Sequence, residues 1–113
     1  MHEYSIVQAL IERVRSEAAA NEAVSVQKLF VRIGELAGVE TQLLATAYET
    51  FREGTICDGA ALEITYVPAH WGCPRCARAI AQGVTLQCPE CEIPARLEGG
   101  DEIILDRIEM EVA

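Results

Sequence analysis

The hydrophobic periods of this chain predict an α+β fold: two helices packed on a small three-stranded mixed sheet, with a cysteine-rich module inserted before the last strand. Two segments repeat their apolar residues every three or four positions, and three others repeat them every second position. Between the last two strand segments, four of the five cysteines crowd into nineteen residues. At 113 residues the chain is long enough for one domain, or for one modest core with a small appended module.

The first helix is expected over residues 3–20. Val7, Leu10, Ile11, Val14 and Ala18 recur at helical spacing with Glu12, Arg13, Arg15 and Glu17 between them, and Asn21 suits its end. Period two follows, with Leu29, Val31 and Ile33 alternating against Phe30 and Arg32 up to Gly34. Val24 and Val26 have the opposite parity, which predicts a bulge or irregular entry near Gln27 and Lys28. Gly34 and Gly38 punctuate a loop, and Leu43, Leu44, Ala47, Tyr48 and Phe51 then mark a second helix from Thr41, as cap, to Arg52. Gly54 and the pair Asp58-Gly59 end it. The second strand alternates Leu62, Ile64 and Tyr66 with Glu63 and Thr65, and closes at Pro68. In the third strand Ile104, Ile108, Met110 and Val112 share a parity opposed by Arg107, Glu109 and Glu111.

A helix joining consecutive strands favours a right-handed parallel crossover, so the first two strands should be parallel or straddle a third. The excursion from the second strand to the third reads as an antiparallel pair whose turn has swollen into a module. The expected division is residues 1–69 plus 100–113 as one α/β unit and 70–99 as the module. Helices cover one sheet face, and the other is left partly open as a contact surface.

Nine Lys and Arg stand against eighteen Asp and Glu, a net charge of −9. Such a surface repels nucleic-acid phosphates and anionic membranes. No basic region followed by an apolar stretch opens the sequence, and no apolar run approaches the roughly 18 residues needed to span a bilayer. The expected compartment is the cytoplasm, with neither nucleic acid nor membrane as a partner.

The clustered cysteines read Cys73-Pro-Arg-Cys76 and Cys88-Pro-Glu-Cys91, separated by eleven residues. Two residues between thiolates let one tight turn aim both sulfurs at one ion, and two such turns complete a tetrahedral site. Four soft sulfurs select Zn(II), with iron as the rubredoxin-like variant. A redox Cys-x-x-Cys normally opens a helix after a strand, whereas Pro74 and Pro89 sit in turn-like surroundings and the motif is duplicated. With every coordination position taken by sulfur, no site remains for a catalytic water, so the expected module is a structural zinc ribbon. Cys57 lies apart and reads as a small apolar filler.

At the other end stands Met1-His2-Glu3. An α-amine, the following amide nitrogens and the His2 imidazole can chelate one divalent ion in a plane of nitrogens, a geometry suited to Ni(II) or Cu(II). A frayed terminus without function fits the same residues.

Met1-His2-Glu3, the stretch Val31-Arg32-Ile33-Gly34-Glu35-Leu36-Ala37-Gly38-Val39-Glu40, the segment Glu53-Gly54-Thr55 and the twin Cys-Pro-x-Cys knuckles, in this order, closely resemble the HypA/HybF family of hydrogenase maturation factors. The resemblance spans essentially the whole chain. It implies a nickel metallochaperone and not an enzyme: a protein that works with the GTPase HypB and delivers Ni(II) to the large-subunit precursor of a [NiFe] hydrogenase. By position it implies nickel binding by the His2 side chain with backbone nitrogens of Met1 and Glu3, and structural zinc on Cys73, Cys76, Cys88 and Cys91. Glu35 and Glu40 are then candidate neighbours of the nickel site, or solvated loop carboxylates. His70, beside Trp71, is a structural or surface residue or else a supplementary nickel donor. A zinc-ribbon adaptor without nickel transfer explains the knuckles but not the terminus. Enzyme chemistry finds no Gly-rich phosphate loop, hydrolase elbow or open zinc.

Overall fold

A computed structural model describes residues 3–83 and 85–112. Helix α1 spans Glu3–Ala20, strand β1 Ala23–Gly34, helix α2 Thr41–Phe51 and strand β2 Ala61–Val67. Three short strands follow, β3 His70–Gly72, β4 Ala79–Ile80 and β5 Arg96–Gly99, before β6, Ile103–Val112. They form two three-stranded sheets, ordered β2-β1-β6 and β4-β3-β5. No helix among the described residues is long and apolar enough to cross a membrane.

The five principal elements stand where the periodicities put them, and the β1–β2 pair is parallel. The β2–β6 relation is different from that expected. They are not neighbours but flank β1, which pairs with β2 from Lys28 to Gly34 and antiparallel with β6 from Ala23 to Ile33. Both hydrogen-bonding edges of β1 are used. The 12-residue β1 offers one edge to the 7-residue β2 and the other to the 10-residue β6, so the excursion bridges the end of β1 and is not a swollen hairpin turn.

Bulges reset the faces. Between Val26 and Lys28 the register slips at Gln27, so Val26 and Leu29 both point into the core, while Val24 is exposed. A second slip places Asp106 opposite the gap between Phe30 and Val31. Ile103 and Leu105 therefore pack on the core with Ile108 and Met110, and Ile104 does not share their face as its parity had suggested. Thr41 is the first residue of α2 and not its cap. Glu40 takes the cap position in extended conformation with no side-chain hydrogen bond, and the helix ends at Phe51 with Arg52 as C-cap.

Both helices cover one face of the larger sheet. Val7, Leu10, Ile11, Val14 and Ala18 of α1 meet Leu44, Ala47 and Tyr48 of α2 above Val26, Leu29, Val31 and Ile33. Cys57 is fully buried in this cluster, as a small apolar filler should be. Tyr48 and Arg52 lock the loop beneath it, both donating to the Ala60 carbonyl at 2.8 Å. The molecule is drawn out to 56 × 27 × 17 Å.

Candidate metal centres

The two cysteine turns have one construction. Cys73 N–H donates to the Arg78 carbonyl and Ala77 N–H to the Cys73 carbonyl, each at 2.9 Å. The second turn repeats this, with Cys88 N–H donating to Ile93 at 3.0 Å and Glu92 N–H to Cys88 at 2.9 Å. The residue after each second cysteine adopts left-handed backbone, Ala77 at φ 65° and Glu92 at φ 56°. For residues bearing a Cβ this costs about 1 kcal/mol each, a strain both turns carry in the same place. What the shape achieves is convergence of sulfur.

All four sulfurs lie within 4.8 Å of one another, and among the described residues no other group of three or more metal-ligating side chains is gathered this closely. Cys76 Sγ and Cys88 Sγ are 3.7 Å apart. A tetrahedron of sulfurs at about 2.3 Å from a zinc ion has edges of about 3.8 Å, so the donor set fits a metal such as zinc in number, softness and spacing. Cys73 and Cys88 are buried, Cys91 is half-buried and Cys76 exposed. Backbone amides point at the buried sulfurs: Arg75 and Cys76 N–H at Cys73 Sγ, and Cys91 N–H at Cys88 Sγ, each at 3.4 Å.

These donors separate the thiols. The Cys76 amide, with help from Arg75, holds Cys73 down to about 6 against its desolvation. Desolvation, together with hydrogen bonds from the other three sulfurs, pushes Cys91 up to about 12. Thiolates this close repel one another, and a cation among them would offset that repulsion.

Met1 and His2, the expected nickel ligands with Glu3, lie outside the described residues. Glu3 begins α1 and borders an open hollow of about 500 Å³ together with Glu35, Gly38, Val39, Glu40, Thr41 and Tyr66. The fold thus brings Glu3, Glu35 and Glu40 to one depression, although these carboxylates are not gathered as the sulfurs are. His70 is elsewhere. It lines a separate cavity of about 150 Å³ with Arg32, Glu102 and Ile104, beneath the end of the larger sheet.

One contact had no signal in the sequence. Glu35 Oε1 accepts the Ala69 N–H at 2.8 Å, across 34 positions. A carboxylate that reads locally as a loop residue is therefore tied to the chain entering the ribbon.

Residues 1–110 match the family described as "Hydrogenase/urease nickel incorporation, metallochaperone, hypA". The chain is 40% identical over its whole length to a protein of Shewanella oneidensis named hydrogenase maturation factor HypA, covering 98% of that protein. A protein of the same name from Wolinella succinogenes is also 40% identical, over 98% of this chain and 96% of its own. Among solved structures, the nickel metallochaperone HypA from Helicobacter pylori superposes with a TM-score of 0.75 at 30% identity, with both chains fully covered. A second HypA solution structure gives 0.81 at 30% identity, covering all of this chain and 98% of the other.

Proposed function

The chain belongs to the HypA family of nickel-incorporating metallochaperones in hydrogenase maturation, a family of maturation factors and not of enzymes, and from that premise we propose a division of labour between its two metal centres. Ni(II) is cargo, bound at the amino terminus by the His2 imidazole with backbone nitrogens of Met1 and Glu3. Zn(II) on Cys73, Cys76, Cys88 and Cys91 is structural and orders residues 70–99, while residues 1–69 with 100–113 form the nickel-handling unit. The loaded protein passes nickel to the large-subunit precursor of a [NiFe] hydrogenase in the cytoplasm, with HypB as its GTPase partner.

The observation that carries this is the joint position of Glu3 and the sulfur cluster. Glu3 starts α1 at the rim of an open acidic hollow, whereas the four sulfurs of the ribbon close on one another within 4.8 Å. An open site suits a cation that must leave again, and a closed tetrathiolate suits one that stays. His70 lines its own cavity. That arrangement favours a nickel set drawn from the terminus, with Glu35 and Glu40 as carboxylate neighbours.

The test uses zinc-loaded protein and nickel titration with X-ray absorption at the nickel edge. Native protein should give planar nitrogen ligation, which His2→Ala should abolish while zinc content and folding are unchanged. Adding Gly-Ser ahead of Met1 converts the amine to an amide and should also alter ligation and lower hydrogenase maturation. An extended protein with the native nickel spectrum and full maturation would exclude the amine as a ligand.

A further inference from the structure

Three consecutive residues at the end of β1 grip the neck between the two sheets. Gly34 N–H donates to the Glu102 carbonyl at 2.9 Å, Glu35 N–H to Val67 at 2.8 Å and Leu36 N–H to Gly100 at 2.7 Å. Both chains of the neck, 67–69 and 100–102, are thereby tied to one turn. Packing there is tight: a Cβ added to Gly34 would strike the Gly100 backbone, and one added to Gly100 would strike Ala69.

The fourth tie is of another kind. Glu35 Oε1 accepts the Ala69 N–H at 2.8 Å, and the Ala69 carbonyl accepts from Gln82 Nε2, in the loop between the knuckles, at 3.2 Å. Ala69, only 8% exposed, is thus held from one side by the helix–sheet unit and from the other by the ribbon. Of the four ties from the end of β1, this is the one made by a side chain. Backbone ties last as long as the sheet, whereas a carboxylate can turn away without disturbing it.

Glu35 is also among the residues that border the hollow at Glu3. We propose that Glu35 is a latch linking cargo loading at the amino terminus to the seating of the ribbon. Without cargo it holds the Ala69 amide; a divalent cation bound beside Glu3 draws the carboxylate toward itself and frees the neck. The inference rests on the reading that nickel loads at the terminus. Its physical cause is the difference between two partners for one anion, since a dication attracts a carboxylate far more strongly than a neutral amide does. Because Glu35 makes one contact in each state, cargo acquires the differential interaction that a shift between two conformations requires. The neck then reports occupancy to whatever the ribbon faces.

Hydrogen–deuterium exchange at the Ala69 amide, in full-length zinc-loaded protein titrated with nickel sulfate, tests this, with equilibrium dialysis measuring bound nickel in the same samples. In the native protein one equivalent of bound nickel should accelerate Ala69 exchange about tenfold. Glu35→Gln keeps an oxygen acceptor but loses the charge, so its exchange should start slow and ignore nickel. Glu35→Ala should exchange fast with or without nickel. Bound nickel that leaves native Ala69 exchange unchanged overturns the latch and leaves terminal loading intact. Absence of bound nickel overturns both, and slow exchange in a folded Glu35→Ala variant shows that the carboxylate does not hold the neck.

Discussion

Around the β2-β1-β6 sheet, fourteen buried residues from both helices, β1 and the loop before β2 form one apolar cluster, and no residue from 70 to 99 belongs to it. In the β4-β3-β5 ribbon the buried side chains among the described residues are two cysteines of the sulfur cluster, Cys73 and Cys88. The larger sheet is thus assembled by removing hydrocarbon from water. The ribbon has two to four residues per strand and contributes nothing to that cluster, so under the proposed function a metal joining its two turns would supply its order. Stability in the first region is distributed over many contacts, and in the second it is concentrated in four atoms. The expected consequence is a difference in fragility to single substitutions.

The sharpest break is Cys73→Ala or Cys91→Ala. Structural zinc contributes on the order of 10 kcal/mol or more to small metal-dependent modules, so either change should release zinc and disorder residues 71–99. The helix–sheet core should survive. Zinc stoichiometry and amide dispersion in a heteronuclear spectrum measure both, and retention of one zinc with an intact ribbon spectrum would count against the contrast.

A smaller effect is expected from the other side. Leu29 and Leu44 are fully buried, and Leu44→Ala should cost about 2–5 kcal/mol as a cavity opens under α2. Chemical denaturation followed by far-UV circular dichroism should show the loss, with zinc still bound in the folded protein. A core substitution that expelled zinc under native conditions would mean that the ribbon depends on the core after all.

Next is the hydroxyl that fastens α2 to the loop before β2. Tyr48→Phe removes its bond to Ala60 and should cost about 1 kcal/mol at neutral pH, since Arg52 still donates to the same carbonyl. Burial, followed by the Cys57 thiol, raises the Tyr48 pKa well above its ordinary value. Desolvation also raises Cys57. A raised acid pKa means the folded state keeps its proton longer than the unfolded state. The associated stability is therefore complete below the unfolded values, about 8.5 for the thiol and about 10 for the phenol, and falls as pH rises beyond them. Native protein should begin to lose stability above about pH 8.5 and lose it more steeply above about pH 10, and Tyr48→Phe should flatten the steeper limb in urea titrations.

The smallest expected effect is at the exposed pair Arg13–Glu17, one helical turn apart with nitrogen and oxygen at 3.2 Å. Arg13→Ala should change thermal stability by no more than about 0.5 kcal/mol. A larger loss would mean that the outer face of α1 packs on something beyond solvent.

Element types were legible from the amino-acid order, because period and punctuation are local. Val7 to Ala18 mark one helical face, Leu62 to Ile64 one strand face, and the Cys-Pro-x-Cys spacing prescribes the two turns that bring four sulfurs together. Even the bulge at Gln27 was legible, as a change of parity between Val26 and Leu29. Which strand stands at the centre is legible only in the folded chain, since pairing is a competition among edges that no local pattern encodes. Tertiary structure also decided the face of Ile104, which depends on an extra residue at Asp106 that appears only once β6 is laid against Phe30 and Val31. It separated His70 from the hollow of Glu3, Glu35 and Glu40, and it joined Glu35 to Ala69. A side chain's local pattern states what it prefers to touch, and only the closed chain supplies the partner 34 positions away.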